Sequence, residues 1–330
     1  MKSAFLKGVQ GIGVGLACAL LVAALFLAGW LEAIELWTLD RRFSLRPDAS
    51  PRELPQDIVI VAVDQDSIED VLNNNGYRWP WPRAFYGKML QYLTAAGARA
   101  VVFDIFFSEP DIEREDISGA ASDAELIAAT AESGRIYHAL LLKERGLAPP
   151  PDETRALRAQ VSQLPIALDP GIALRQFKSA ALPAPELTAA SRMVGFVNVF
   201  PERDNIFRRV PLLAAFGGDT VPSLSLATAW DLLGRPPVRV APGSLRVGNT
   251  RVPIDRHTRP YLWWYESPRP DEPVFRLVPA VALLHSAVQH SMGRTPQVSP
   301  DVFRNKIVLF GSTAPSLFDI RATPIRKLSP

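Results

Sequence analysis

The sequence predicts an α/β protein: one N-terminal transmembrane helix, then an extracytoplasmic, three-layer-like α/β domain on a mixed, largely parallel sheet. Three observations carry that prediction. Gly8 to Leu31 is a stretch of 24 residues without a charge. Ile58 to Val63, Arg99 to Phe107, Ile136 to Leu142 and Lys306 to Phe310 are short apolar runs of the kind that strands buried on both faces require. Between the first two runs lies a helical pattern, and strand, helix, strand of that length folds as a right-handed parallel crossover.

The anchor comes first. At about 1.5 Å per residue, a helix over Gly8 to Leu31 crosses a hydrocarbon layer roughly 30 Å thick with some tilt. Lys2 and Lys7 precede it and Glu32 and Glu35 follow, so the charge bias places the N-terminus in the cytoplasm. Trp30 and Trp37 fall where an interfacial aromatic belt belongs. A cleaved signal peptide is the rival, but the apolar region is too long for one and no small-x-small site ends it. Thirteen uncharged residues after Cys18 argue likewise against a lipoprotein cleavage site. Gly11, Gly15, Ala19 and Ala23 recur every four residues, a row that lets two membrane helices approach closely and points to a homodimer. No later stretch is apolar enough to return across the membrane, so residues 36–330 form the outer domain and residues 1–35 the cytoplasmic terminus and anchor.

Along the domain, Leu39 to Pro55 is a charged connector with three prolines. After the strand Ile58 to Val63, Asp66 caps a short helix through Leu72, with Glu69 three residues on. Asn73-Asn74-Asn75-Gly76 is a turn. Pro82 opens a helix to about Ala96, ended by Gly97. The strand Arg99 to Phe107 follows, then a helix over Ser122 to Glu132 and the strand Ile136 to Leu142. Residues 144–185, polar and rich in alanine and proline, form a mostly irregular insertion. Met193 to Phe200 and Phe207 to Phe216 flank Glu202-Arg203-Asp204-Asn205 as a hairpin. Leu224 to Leu233 is a helix, Val238 to Tyr265 holds short strands, Val278 to Gln289 is a helix, and Lys306 to Phe310 is the last strand.

Composition narrows the function. With Lys2 and Lys7 set aside, the rest of the chain is neutral, 34 basic residues against 34 acidic. Nucleic acid needs a basic stripe and is no expected partner. Cys18, the single cysteine, lies in the anchor, so the domain has no disulfide. There is no phosphate loop, no H-E-x-x-H and no G-x-S-x-G, and the four histidines are scattered, so no catalytic residue, metal or cofactor is assigned.

The candidate site lies at the sheet's carboxyl edge. In a parallel sheet neighbouring strands end on one edge, where ligands bind. Asp64 and Asp104 end the first two strands, with Glu109 in the loop after the second. Trp79-Pro80-Trp81-Pro82-Arg83 sets two indoles and an arginine beside that edge, and Ser312 stands in a small-residue loop after the last strand. Asp64, Trp79, Trp81, Arg83, Asp104, Glu109 and Ser312 are the ligand-binding candidates. The bland alternative is that the aspartates cap helices or pair with a basic neighbour, and that the indoles only close a helix onto the sheet.

With these residues placed, the chain resembles the type-two CHASE domain, the cyclases/histidine kinases-associated sensory extracellular family. The resemblance rests on Leu39-Asp40-Arg41-Arg42, Ile58-Val59-Ile60-Val61-Ala62-Val63-Asp64 and Trp79-Pro80-Trp81-Pro82-Arg83. It continues through Ala98 to Pro110, with Asp104-Ile105-Phe106-Phe107-Ser108-Glu109-Pro110, then Gly195-Phe196-Val197-Asn198, Arg208-Arg209-Val210-Pro211-Leu212 and Pro222-Ser223-Leu224. It closes on Lys306 to Pro315 and Asp319 to Pro324. It implies a periplasmic input domain on a bacterial inner membrane, followed in the family by further membrane helices and a cytoplasmic class III cyclase, histidine kinase or serine/threonine kinase. The family pattern runs on past the position of Pro330, so a C-terminal truncation is expected. The family identity supplies no ligand. A second function stays open at this point: an anchored periplasmic enzyme using Asp64, Asp104 and Glu109.

Overall fold

A computed structural model describes residues 2–45, 56–265, 273–317 and 322–324. Residues 46–55 of the predicted connector and residues 319–321 of the last sequence block lie outside the described residues. Helix α1 (Lys2–Leu27) contains the apolar stretch Gln10–Leu27, with a mean hydropathy of 2.2 and none of it buried. It is long and apolar enough to cross a membrane. The helix is interrupted at Gly29, whose φ of 75° requires glycine, and resumes as α2 (Trp30–Ser44), so residues 39–44 of the predicted connector are helical.

Strand β1 (Ile58–Val63) leads into α3 (Gln65–Asn75). The cap is Asp64, which accepts from the Ser67 amide at 2.8 Å; Asp66, expected in that role, is exposed in the first turn. Helix α4 (Arg83–Ala95) starts directly after Pro82. Strand β2 (Ala100–Phe103) is shorter than its apolar run, because the chain leaves the sheet at Asp104 and loops out to α5 (Gly119–Ser133). Then follows β3 (Ile136–Lys143).

Residues 144–185 are not irregular. They hold α6 (Pro151–Val161), β4 (Ile166–Leu168), β5 (Gln176–Phe177) and β6 (Ser179–Ala181), and reach the start of α7 (Pro185–Ala190). Helix α6 buries Leu157 and Val161 in a small core of its own with Phe177 and Phe196. Buried Gln160 ties it inward: its side-chain amide donates to the Thr188 and Ser191 carbonyls and its oxygen accepts from the Val194 amide.

The predicted hairpin also divides differently. The turn at Glu202–Asn205 exists, with Asn205 at φ 62°, but its flanks do not pair. Strand β7 (Met193–Phe196) runs parallel to β3, while β8 (Leu213–Phe216) pairs antiparallel with β9 (Asp219–Pro222). After α8 (Leu224–Leu232), β10 (Val238–Ala241), β11 (Ser244–Val247) and β12 (Thr250–Pro253) form a meander. The chain then gives β13 (Arg276–Pro279), α9 (Ala280–Ser291) and β14 (Ile307–Ser312).

The main sheet runs β13-β1-β14-β2-β3-β6, with β7 also on β3; every pairing is parallel except β6 against β3. The first two strands of the predicted crossover are therefore not neighbours, because the last strand lies between them. Alternation sends Val101 and Phe103 to one face, against α4, α5 and α9. Ala100 and Val102 go to the other face, with α8 and the meander. Helices, sheet, then α8 with the meander make three layers.

Candidate functional site

The carboxyl ends of β2, β3, β7 and β14 frame a cavity of about 850 Å³. Trp79, Trp81, Arg83, Asp104, Glu109 and Ser312, six of the seven candidates, line it. Asp64 does not. It is half-buried, and its carboxylate is committed to the α3 cap.

The wall is built from the Trp79–Arg83 loop. A cis peptide joins Trp79 to Pro80, and the two indoles meet edge-on at 5.4 Å. Trp81 and Tyr86 are buried, and each contributes about 2–3 kcal/mol of hydrophobic stabilisation. Arg83 is 8% exposed and holds the loops together. Its guanidinium pairs with Asp123 at 2.5 Å, donates to the Glu109 carbonyl and lies over the Phe107 ring. The ligand that the sequence invited for Arg83 is thus met from within the fold.

Asp111, which the sequence did not single out, fastens the far side. It accepts from the Arg83 amide at 2.8 Å, from Ser122, from the Ile112 amide and from Arg114. Burial pushes its carboxyl up, but these hydrogen bonds outweigh burial and hold it below the usual range. Asn198 fixes the opposite wall by copying a strand: its side-chain amide donates to the Leu142 carbonyl at 2.8 Å and its oxygen accepts from the Leu142 amide at 2.9 Å. Both residues stood in plain view, Asp111 one place beyond the Asp104 to Pro110 block and Asn198 inside another. The partners that make them part of the wall, Arg83 and Ser122 for Asp111 and Leu142 for Asn198, lie 28, 11 and 56 residues away.

Ser312 donates weakly to the Val63 carbonyl, which also accepts from the Thr313 and Ala314 amides at 3.1 Å. Those amides are spent and are not offered to an anion. The mouth is left to Asp104, Phe106, Glu109, Ile112 and Val199, all exposed, and to half-buried Trp79. The site is an aromatic and aliphatic hollow with carboxylates at its rim.

Two buried nitrogens near it have no partner among the described residues: Trp81 Nε1 and His138 Nδ1. Each such group costs about 1–3 kcal/mol. His138 stacks on Phe103 at 5.0 Å and meets Phe107, a cavity residue, edge-on. Burial, with Arg83 nearby, pushes its imidazole down to about 3. Among the described residues no three His, Cys, Asp or Glu side chains converge as metal ligands.

A family model described as "CHASE2 domain" matches residues 17–330. No curated protein and no solved structure matches the chain.

Proposed function

The chain belongs to the CHASE2 domain family, and from that premise we propose that it is the extracytoplasmic input domain of a membrane-bound receptor controlling a cytoplasmic cyclase or kinase. The family is a sensory extracellular one, found in signalling receptors, and is sensory rather than catalytic. The chain sits in a bacterial inner membrane by a single pass, with the residues after about 35 in the periplasm. Its stimulus is a small organic ligand or a protein segment seated in the carboxyl-edge cavity. The observation that carries this reading is that cavity of about 850 Å³, placed where parallel sheets receive ligands and walled by aromatic rings. The receptor is a homodimer through the face of α1 that bears Gly11, Gly15, Ala19 and Ala23, all four exposed among the described residues.

Two measurements test it. Alkaline phosphatase fused after residue 330 is active and a cytoplasmic reporter fused there is dark; the reverse pattern ends the reading. A library of small aromatic and aliphatic fragments, screened by ligand-observed NMR against the detergent-solubilised chain, gives binders that Val199→Trp displaces by filling the mouth. Binding that this substitution leaves intact moves the site elsewhere.

A further inference from the structure

Two sequence blocks that the cavity does not use, Leu39-Asp40-Arg41-Arg42 and Arg208-Arg209-Val210-Pro211-Leu212, meet in the fold. Arg208 is fully buried, a place where a guanidinium persists only when paired. Asp40, on α2, takes its Nε and Nη2 in a bidentate pair, both at 2.7 Å. Asp204 takes Nη2 and Nη1 at 2.7 and 2.9 Å, and Glu202 lies 3.3 Å from Nη1. Burial works against the cation, but the Asp40 and Asp204 bonds outweigh it and raise the proton affinity of the guanidinium. Beside this cluster, Tyr261 meets Phe43 of α2 edge-on at 6.1 Å, and Arg209 lies 4.2 Å over the Tyr261 ring.

The same stretch of chain forms part of the cavity wall. Val197, Asn198 and Val199 line the cavity. Three residues after Val199 the turn begins, closed by the Glu202 amide on the Ile206 carbonyl at 3.0 Å and the Asn205 amide on the Glu202 carbonyl at 3.0 Å. From that turn Arg208 reaches α2, and the Phe207 amide reaches the Ala322 carbonyl at 2.9 Å. Cavity wall and turn are thus one continuous piece of backbone, tied to α2 through the Arg208 side chain and to residue 322 through a backbone hydrogen bond.

We infer that the Arg208–Asp40 clasp is the joint through which occupancy of the cavity is passed to the membrane anchor, an inference that rests on the sensory reading above. The charge arithmetic suits a joint. Stranding a buried cation is prohibitive, but release of Asp40 leaves Arg208 with Asp204 and Glu202, and Asp40, 23% exposed in its side chain, passes to water. The arm to α2 opens without breaking the rest of the cluster. Two arrangements of small energy difference are what a ligand needs in order to shift a population. A bulky occupant displaces the wall at 197–199, the turn follows as a unit, and α2 is loosened from the domain.

The test is amide hydrogen exchange on the full chain in detergent micelles. Asp40→Asn raises exchange in α2 over residues 36–43 at least tenfold and leaves β10–β12 at the wild-type rate, which shows the domain folded. Val199→Trp, used as a tethered occupant, raises α2 exchange several-fold in the wild-type background and adds nothing in Asp40→Asn. Ile112→Trp fills the same cavity from the other wall and replaces Val199→Trp if that variant loses β10–β12 protection. Unchanged α2 exchange in Asp40→Asn overturns the clasp. An equal effect of the cavity-filling residue in both backgrounds overturns it as the route. An α2 that ignores the filled cavity, while fragments still bind the wild-type chain, overturns the coupling and leaves the sensory reading standing. Absence of fragment binding is the failure of that reading instead.

Discussion

His138 makes the fold acid-sensitive in a window that its carboxylates leave alone. The imidazole is wholly buried against Phe103 and Phe107, with Nε2 3.4 Å from the Thr130 hydroxyl. Burial first, then the Arg83 charge, carries it from 6.5 down to about 3. Below pH 6.5 the unfolded chain takes up a proton that the folded one refuses, so stability is full above that pH and drains as pH falls toward 3. At about 1.4 kcal/mol per pH unit, the loss between pH 7 and 4.5 is about 2.5 kcal/mol, or a drop of about 5–10 °C in Tm. Asp111, Asp204, Asp231 and Asp255 are all held below the usual carboxylate range, so their contributions fail only below about pH 4. The assay is urea unfolding of the chain in micelles at half-unit steps from pH 7 to 4.5, for wild type and His138→Leu. The variant carries a constant cost for its altered packing but loses the slope. Parallel curves for the two proteins, or an imidazole that titrates above pH 5 by NMR, refute the reasoning.

Three other substitutions have definite outcomes. Asp231 accepts from Arg192 at 2.8 Å twice, from Arg235 at 2.6 Å and from Tyr137 at 2.5 Å, and is held down to about 2. Asp231→Asn costs about 2–3 kcal/mol in chemical denaturation at pH 7, and the gap to wild type closes as pH falls from 4 toward 2. A Cβ on Gly195 would stand 2.5 Å from the Leu224 backbone at the start of α8, so Gly195→Ala costs about 3 kcal/mol by the same measurement. Gly15→Ile lowers self-association of the isolated span in a membrane two-hybrid assay; no loss there means that any dimer forms through the domain.

What the sequence disclosed follows from the range of the forces involved. The strands β1, β2, β3 and β14 are legible because a strand covered on both faces must be apolar throughout, a property of the strand alone. Asp104, Glu109 and Ser312 are legible for a related reason: with those strands parallel, the residues at their ends fall at one edge, whereas Trp79, Trp81 and Arg83 are marked by the Trp-Pro-Trp-Pro-Arg loop itself. Helix α6 hid because its buried side is Thr154, Leu157, Gln160 and Val161, two polar residues among two apolar, and Gln160 earns its burial from partners on α7 and β7. The false hairpin has the same origin. The turn at 202–205 is locally specified, but β7 found its partner in β3, more than fifty residues earlier. The Asp40–Arg208 pair spans 168 residues, and each half reads alone as a surface charge. Long-range electrostatics leaves no periodicity to read.

The position of β14 adds a constraint on how all this is assembled. It lies between β1 and β2 and pairs with six residues of the first and four of the second. Until residues 307–312 arrive, β1 and β2 have no shared neighbour, and the hydrogen-bonding edges that they turn to each other have no partner. The helices α4 and α9 pack across that gap, so the largest core cannot close early either. The apolar stretch at residues 10–27 is synthesised first, the central strand nearly three hundred residues later. Parallel pairing at such separation is slow because loop closure precedes any reward in contacts. The central part of the main sheet, β1-β14-β2, therefore closes as one late event. The cavity, whose lining runs from Trp79 to Leu317 and includes Ser312 of β14, is complete only in that same event.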